Sequence, residues 1–183
     1  MAKSSEVIET VSKRIIEQVR EYAIEEGILG RKHPKNPNLD ATYELHYPPN
    51  SPHPQRIMLL FPKDQNFFII QMGVQVSPVH AKAFRALEGS EQAKFFSKLK
   101  REFHKLNALF SLDPKNLRWM LQEVIYEEGS DVSKNFFFER LRRVFNCAMF
   151  ANTLLNEVCL PKMGSAGQDA SVTDGESGTS LYM

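Results

Sequence analysis

Cysteine is scarce: Cys147 and Cys159 are the only two in 183 residues. No CxxC pair is present to seed a zinc knuckle or a disulfide framework. Twelve helical residues separate them, about 18 Å of rise, and a disulfide needs Cα atoms within about 7 Å. They are read as unpaired structural thiols of a reducing compartment, the cytoplasm. The histidines, His33, His46, His53, His80 and His104, form neither HxxxH nor HExxH, so no metal site is predicted. GxxxxGK[ST], GxGxxG after a strand and GxSxG are all missing, which removes the usual nucleotide and hydrolase signatures. No apolar run approaches the roughly 18–20 residues of a membrane helix, and MAKSSEVIETVSKR has no signal-peptide core. A net charge of +1 gives the whole chain no bias toward a polyanion. No catalytic residue and no cofactor is predicted, and the chain is expected not to be an enzyme.

One compositional surplus stands out against these absences. There are 13 phenylalanines, which suggests an aromatic core or an apolar interface. Residues 5–26 carry Ile8, Val11, Ile15, Val19 and Tyr22 at three- and four-residue spacing, the stripe of an amphipathic helix. Gly27 and Gly30 are read as closing it, and RKHPKNPN (31–38) as a loop. Residues 41–47 alternate as a strand, with Ala41, Tyr43, Leu45 and Tyr47 on one side and Thr42, Glu44 and His46 on the other. Arg56–Phe61 is more continuously apolar, the pattern of a strand covered on both faces or at the centre of the sheet. Phe67–Val76 is a further strand after a hairpin-length turn at 62–66.

Ser77 and Pro78 provide an N-cap and a first helical residue. That helix runs to about Leu87, pauses, and resumes to about Leu106, with Ser90 read as the second cap. Residues 108–112 and 117–126 are strands joined through the turn Asp113-Pro114-Lys115-Asn116. Glu127 and Glu128 follow the second of these strands as neighbours on opposite faces, a poor acid–base pair. Asp131 or Ser133 caps a last helix over roughly 134–159, whose core face is Phe137, Leu141, Val144, Ala148, Ala151, Leu155 and Val158. The fold class is therefore α+β: a single antiparallel five-stranded sheet with helices mainly on one face, in the order αβββαββα. The domain is expected to span 1–162, with an acidic Gly/Ser-rich tail at 163–183 that stays disordered.

This order is similar to the type III secretion chaperone-like fold. The phrases QMGVQVSPVH (71–80), AKFFSKLKREFHKL (93–106), IYEEG (125–129) and FFFERLRRVFNCAM (136–149) also resemble an archaeal family of unknown function. The resemblance covers about residues 5–160. It implies a cytoplasmic interaction protein, a homodimer or the binder of a protein partner, that holds protein segments on apolar surface.

Two surfaces are candidates from the residues themselves. Lys94, Lys98, Arg101 and Lys105 recur at i, i+4, i+7 and i+11 as a basic stripe, able to bind nucleic acid or another anion or simply to pair with Glu91 and Glu102. Phe136, Phe138 and Phe150 fall outside the core face of the last helix and are the candidate protein interface. Protein binding is the leading expectation and anion binding through the stripe is the alternative. No membrane role is expected.

Overall fold

The alternating segment at 41–47 is the second strand of an open antiparallel sheet in an α+β chain. In the computed structural model, residues 2–34, 36–126 and 132–163 are described, with side chains from Lys13 onward. The elements are α1 (Ala2–Glu25), β1 (Leu29–Lys32), β2 (Leu39–Tyr47), β3 (Gln55–Pro62), β4 (Phe67–Gln75), α2 (Pro78–Arg85), α3 (Gly89–Lys105), β5 (Leu109–Asp113), β6 (Arg118–Tyr126) and α4 (Lys134–Met163). The strand order is β1-β2-β3-β4-β6-β5. The sheet thus has six strands, where the sequence predicts five. The extra strand is β1, within the stretch that reads as a helix end and a loop. Gly27, at φ 67°, does end α1, because a left-handed residue after the last turn costs glycine no Cβ clash. Gly30 does not belong to that turn. It sits in β1, and Leu29 is paired with Leu45.

The chain divides into two compact units, Met1–Met72 with Gln122–Phe145 and Gly73–Leu121 with Asn146–Met183. In the first, β2, β3 and β4 form an antiparallel meander in which Glu44 lies opposite Met58, and Leu60 opposite Thr42 and Ile69. Strand periodicity then sorts its side chains. Tyr43, Leu45, Ile57, Leu59, Phe61, Phe68, Ile70 and Ile125 are buried on one side. Phe61 stacks on Phe68 at 5.4 Å and meets Tyr43 edge-on at 6.3 Å. Ile15, Val19 and Ala23 of α1 and Phe137, Leu141 and Val144 of α4 are buried in the same unit. Tyr22 and Phe137 bring the two helices together, with ring centroids 6.4 Å apart. The Tyr22 hydroxyl also donates to the Val132 carbonyl at 3.0 Å.

The second unit builds its core from rings on α2, α3, β5 and β6. Phe84, Phe95 and Phe96 form a triangle with centroids 5.0–5.6 Å apart, Trp119 lies 6.3 Å from Phe95, and Phe103 packs on Phe110 at 5.2 Å. Full burial of each such ring contributes about 2–3 kcal/mol. Much of the phenylalanine surplus is therefore core. Ser77 caps α2 as the sequence predicts, its hydroxyl accepting from the His80 N–H. Ser133 caps α4 in the same way, accepting from Phe136 N–H at 3.2 Å. The second long helix departs from expectation. Its N-cap is Glu88, not Ser90, and the Glu91 carboxylate reaches back to accept from the Glu88 N–H at 3.1 Å.

Candidate protein-interaction face

Each strand of the meander has a second side, and in the first unit that side is not covered like the first. Met58, Leu60, Phe67, Ile69 and Val124 are all half-buried, and Tyr126 is 62% exposed. They share one face by register and contact. Leu60 is opposite Ile69 and Met58 opposite Gln71. The Gln122 amide donates to the Gln71 side chain at 2.8 Å, and the Phe67 and Tyr126 rings lie 5.6 Å apart. The apolar run Arg56–Phe61, read as a strand covered on both faces or at the sheet's centre, is an interior strand paired with β2 and β4 and is fully buried only on alternate residues: Ile57, Leu59 and Phe61.

The same face ends, toward β1, in a polar cluster. The Glu44 side chain is 7% exposed because it takes the place of an outward strand residue beneath longer neighbours. His46 Nε2 lies 2.8 Å from its Oε1 and His33 Nε2 lies 3.3 Å from Oε2. Arg31 Nε is 3.3 Å from Oε2 and Arg56 Nε 3.9 Å from Oε1. Burial pushes this carboxyl up, but the hydrogen bonds from His46 and His33 and the charges of Arg31 and Arg56 together outweigh it and hold Glu44 below the ordinary carboxylate range. Gly30 makes the approach of β1 possible. A Cβ there would meet the Glu44 carbonyl oxygen at 2.8 Å and His46 Nε2 at 3.0 Å.

Glu123, on the buried side of β6, is the opposite case. Burial raises its carboxyl and prevails over Arg143 and Arg140, whose nitrogens lie 3.4 and 3.7 Å from its oxygens.

The surfaces singled out from the sequence fare differently. In the basic stripe, Lys98 pairs with Glu157 at 3.5 Å, Lys105 with Glu102 at 2.9 Å, and Arg101 lies 3.9 Å from Glu102. Among the described residues, three of its four cations thus have carboxylate partners, Lys94 has none, and Glu157 rather than Glu91 is the second acid. On α4, Phe136 is 37% exposed and lies under the Arg140 guanidinium at 4.7 Å. Phe138 leans edge-on against Phe137 at 5.0 Å. Two helical positions turn by about 200°, so Phe136 and Phe138 do not make one patch. Phe150 belongs to the second unit and is half-buried.

A groove of about 380 Å³ in the second unit is lined by Gly73, Gln75, Asp113, Arg118 and Met120. Its charges satisfy one another: Asp113 accepts from Arg118 at 2.9 Å and from the Asn116 amide at 2.8 Å. Ser77 Oγ lies 2.8 Å from His80 Nδ1, a partner that His80 lacks in the sequence pattern. No carboxylate among the described residues pairs with that imidazole to orient it as a base. Cys147 and Cys159 are both buried and form no disulfide, and burial pushes the Cys159 thiol up to about 11, far from a reactive thiolate. Among the described residues, no three His, Cys, Asp or Glu side chains are arranged to hold a metal, and no helix is long and apolar enough to cross a membrane. Glu127, Glu128 and the tail beyond Met163 lie outside the described residues.

Comparison with known proteins gives a family and a fold without an activity. No curated protein matches the chain. The crystal structure of an uncharacterized protein from Methanothermobacter thermautotrophicus superposes with a TM-score of 0.70 at 23% identity, over 78% of this chain and 97% of that one. That likeness supports a shared fold. Residues 15–155 match the model of an uncharacterized conserved protein family, DUF2299, and the chain belongs to that family.

Proposed function

We propose that this chain is a non-enzymatic interaction protein, of chaperone or adaptor type, that takes an extended segment of another protein on the half-exposed face of β3, β4 and the end of β6. The observation that carries this reading is Met58, Leu60, Phe67, Ile69, Val124 and Tyr126 on one continuous strand surface with incomplete cover. Half-buried side chains and one exposed ring leave an apolar patch of roughly a few hundred Å², a size that on monomers is often functional. It falls short of the roughly 800 Å² per partner that a stable dimer buries. A peptide-sized occupant therefore fits better than a second copy, and the homodimer implied by the resemblance to secretion chaperones is the weaker assignment. Two buried cysteines that form no disulfide agree with a reducing compartment such as the cytoplasm.

The test is a fluorescence-anisotropy titration with a short labelled peptide alternating leucine and glutamine. The intact chain binds it, and a Leu60→Ser/Ile69→Ser variant, altered only at half-buried positions, loses about tenfold or more in affinity while keeping its far-ultraviolet circular dichroism. Equal affinity for the variant, or no binding by either protein, would overturn the reading. Sedimentation of the same samples tests the second copy: a dimer dissociated by the double substitution would assign the face to self-association instead.

A further inference from the structure

Resting on the preceding reading, we propose that the segment bound there is acidic where it meets β1–β3, its carboxylates being received by Arg31 and Arg56. The cluster around Glu44 carries two permanent guanidinium charges against one carboxylate, with two imidazoles beside them. It is therefore net positive even with both imidazoles neutral. The arginines spend little of their bonding capacity inward. Each approaches Glu44 through Nε, and their terminal nitrogens have no partner among the described residues. Their side chains are 68% and 73% exposed. Arg31 donates to Glu44 through Nε at 3.3 Å and Arg56 Nε stands 3.9 Å from it, which leaves the outer ends of both guanidiniums to receive a carboxylate through paired hydrogen bonds.

The position of the cluster sets the chemistry of its ligand. Arg56 is opposite His46, and Met58 is opposite Glu44, so the basic rim begins where the apolar strip starts on the same strand. An occupant lying along that face presents apolar side chains to Met58 and Leu60 and anionic ones to the rim. The rim is also built in advance. The His46 N–H donates to the Ile28 carbonyl at 2.8 Å and the His33 N–H to the Thr42 carbonyl at 3.0 Å, which fixes β1 against β2 before any ligand arrives. The guanidiniums repel a metal cation. A nucleic-acid contact would profit from exposed rings on which bases stack, whereas the apolar side chains that adjoin the rim on β3 are Met58 and Leu60.

The experiment compares labelled alternating peptides of leucine with glutamate, with glutamine and with lysine, and a single-stranded oligouridylate, all against the full chain. The glutamate peptide is expected to bind about tenfold tighter than the glutamine peptide at low salt, with the advantage fading as salt screens it, and the lysine peptide weakest. In an Arg31→Gln/Arg56→Gln variant the glutamate-to-glutamine preference falls to within about twofold. Far-ultraviolet circular dichroism confirms that these two exposed substitutions leave the fold intact. If the glutamine peptide binds and the glutamate peptide binds no better, the acidic assignment is wrong while the interaction face stands. If no peptide binds, both are wrong. Oligouridylate binding as tight as that of the glutamate peptide would make the rim a nucleic-acid contact and overturn the proposal.

Discussion

Replacing Glu44 by glutamine keeps the side-chain shape but removes the charge on which Arg31, His33, His46 and Arg56 converge. Hydrogen bonds to a charged group contribute about 1.5–3 kcal/mol. The two guanidiniums are mostly in water, so each adds only a few tenths of a kcal/mol. Against this, the variant is spared the cost of burying a carboxylate, and its amide oxygen still accepts one bond. The net expectation is a loss of about 1–2 kcal/mol at neutral pH. Because burial raises Glu44 but its four partners more than offset that, its folded-state pKa is depressed. A depressed carboxylate contributes stability above its unfolded pKa and loses it as pH falls through the folded value. The gap between wild type and variant must therefore be widest at neutral pH and close on the acid side of the carboxylate range. Urea unfolding by circular dichroism across that interval reads the effect, with hydrogen exchange of the β2 amides as a local check. A variant as stable as wild type at pH 7, or a gap that widens on acidification, would show that the Glu44 carboxylate does not stabilise the fold.

Glu123→Gln should behave oppositely. Burial, chiefly, raises the Glu123 carboxyl, so its stabilising contribution is present below the unfolded pKa and lost as pH rises through the folded one. The glutamine variant should match or exceed wild type at pH 7 in the same urea assay and lose that advantage in acid. Gly30→Ala brings a methyl within 2.8 Å of the Glu44 carbonyl oxygen, which is backbone and cannot step aside. It should cost about 1–3 kcal/mol, visible as a lower melting temperature and faster hydrogen exchange in β1.

The strands β2, β3 and β4 were legible because their signal is local: a period of two bounded by proline and polar turns. The strand β1 was not. Leu29–Lys32 is four residues holding a glycine and two cations, and it becomes a strand only by pairing across to Leu45 and Tyr43, a long-range effect that propensity does not carry. The basic stripe on α3 was visible as a spacing, but the pairing of Lys98 with Glu157 depends on a residue more than fifty positions away. The Glu44 cluster gathers side chains from residues 31, 33, 46 and 56, so no motif announced it. One signal was available. Carrying the hairpin register inward from Tyr47 and Gln55 places His46 beside Arg56 and Glu44 beside Met58. The interaction face had left a trace too, in the apolar continuity of Arg56–Phe61. That continuity fits two covered sides or a central position, and only alternate residues of β3 are fully buried.

On the function proposed above, the half-exposed strand face, and not a helix, receives the partner. Chemical-shift mapping of backbone amides during the leucine–glutamate peptide titration distinguishes the two surfaces. Shifts are expected at Arg56–Leu60, Ile69–Gln71 and Gln122–Tyr126, with smaller ones at Arg31 and His46. Shifts centred on Lys94–Lys105 of α3 or around Phe150 of α4, with β3 and β4 silent, would contradict it.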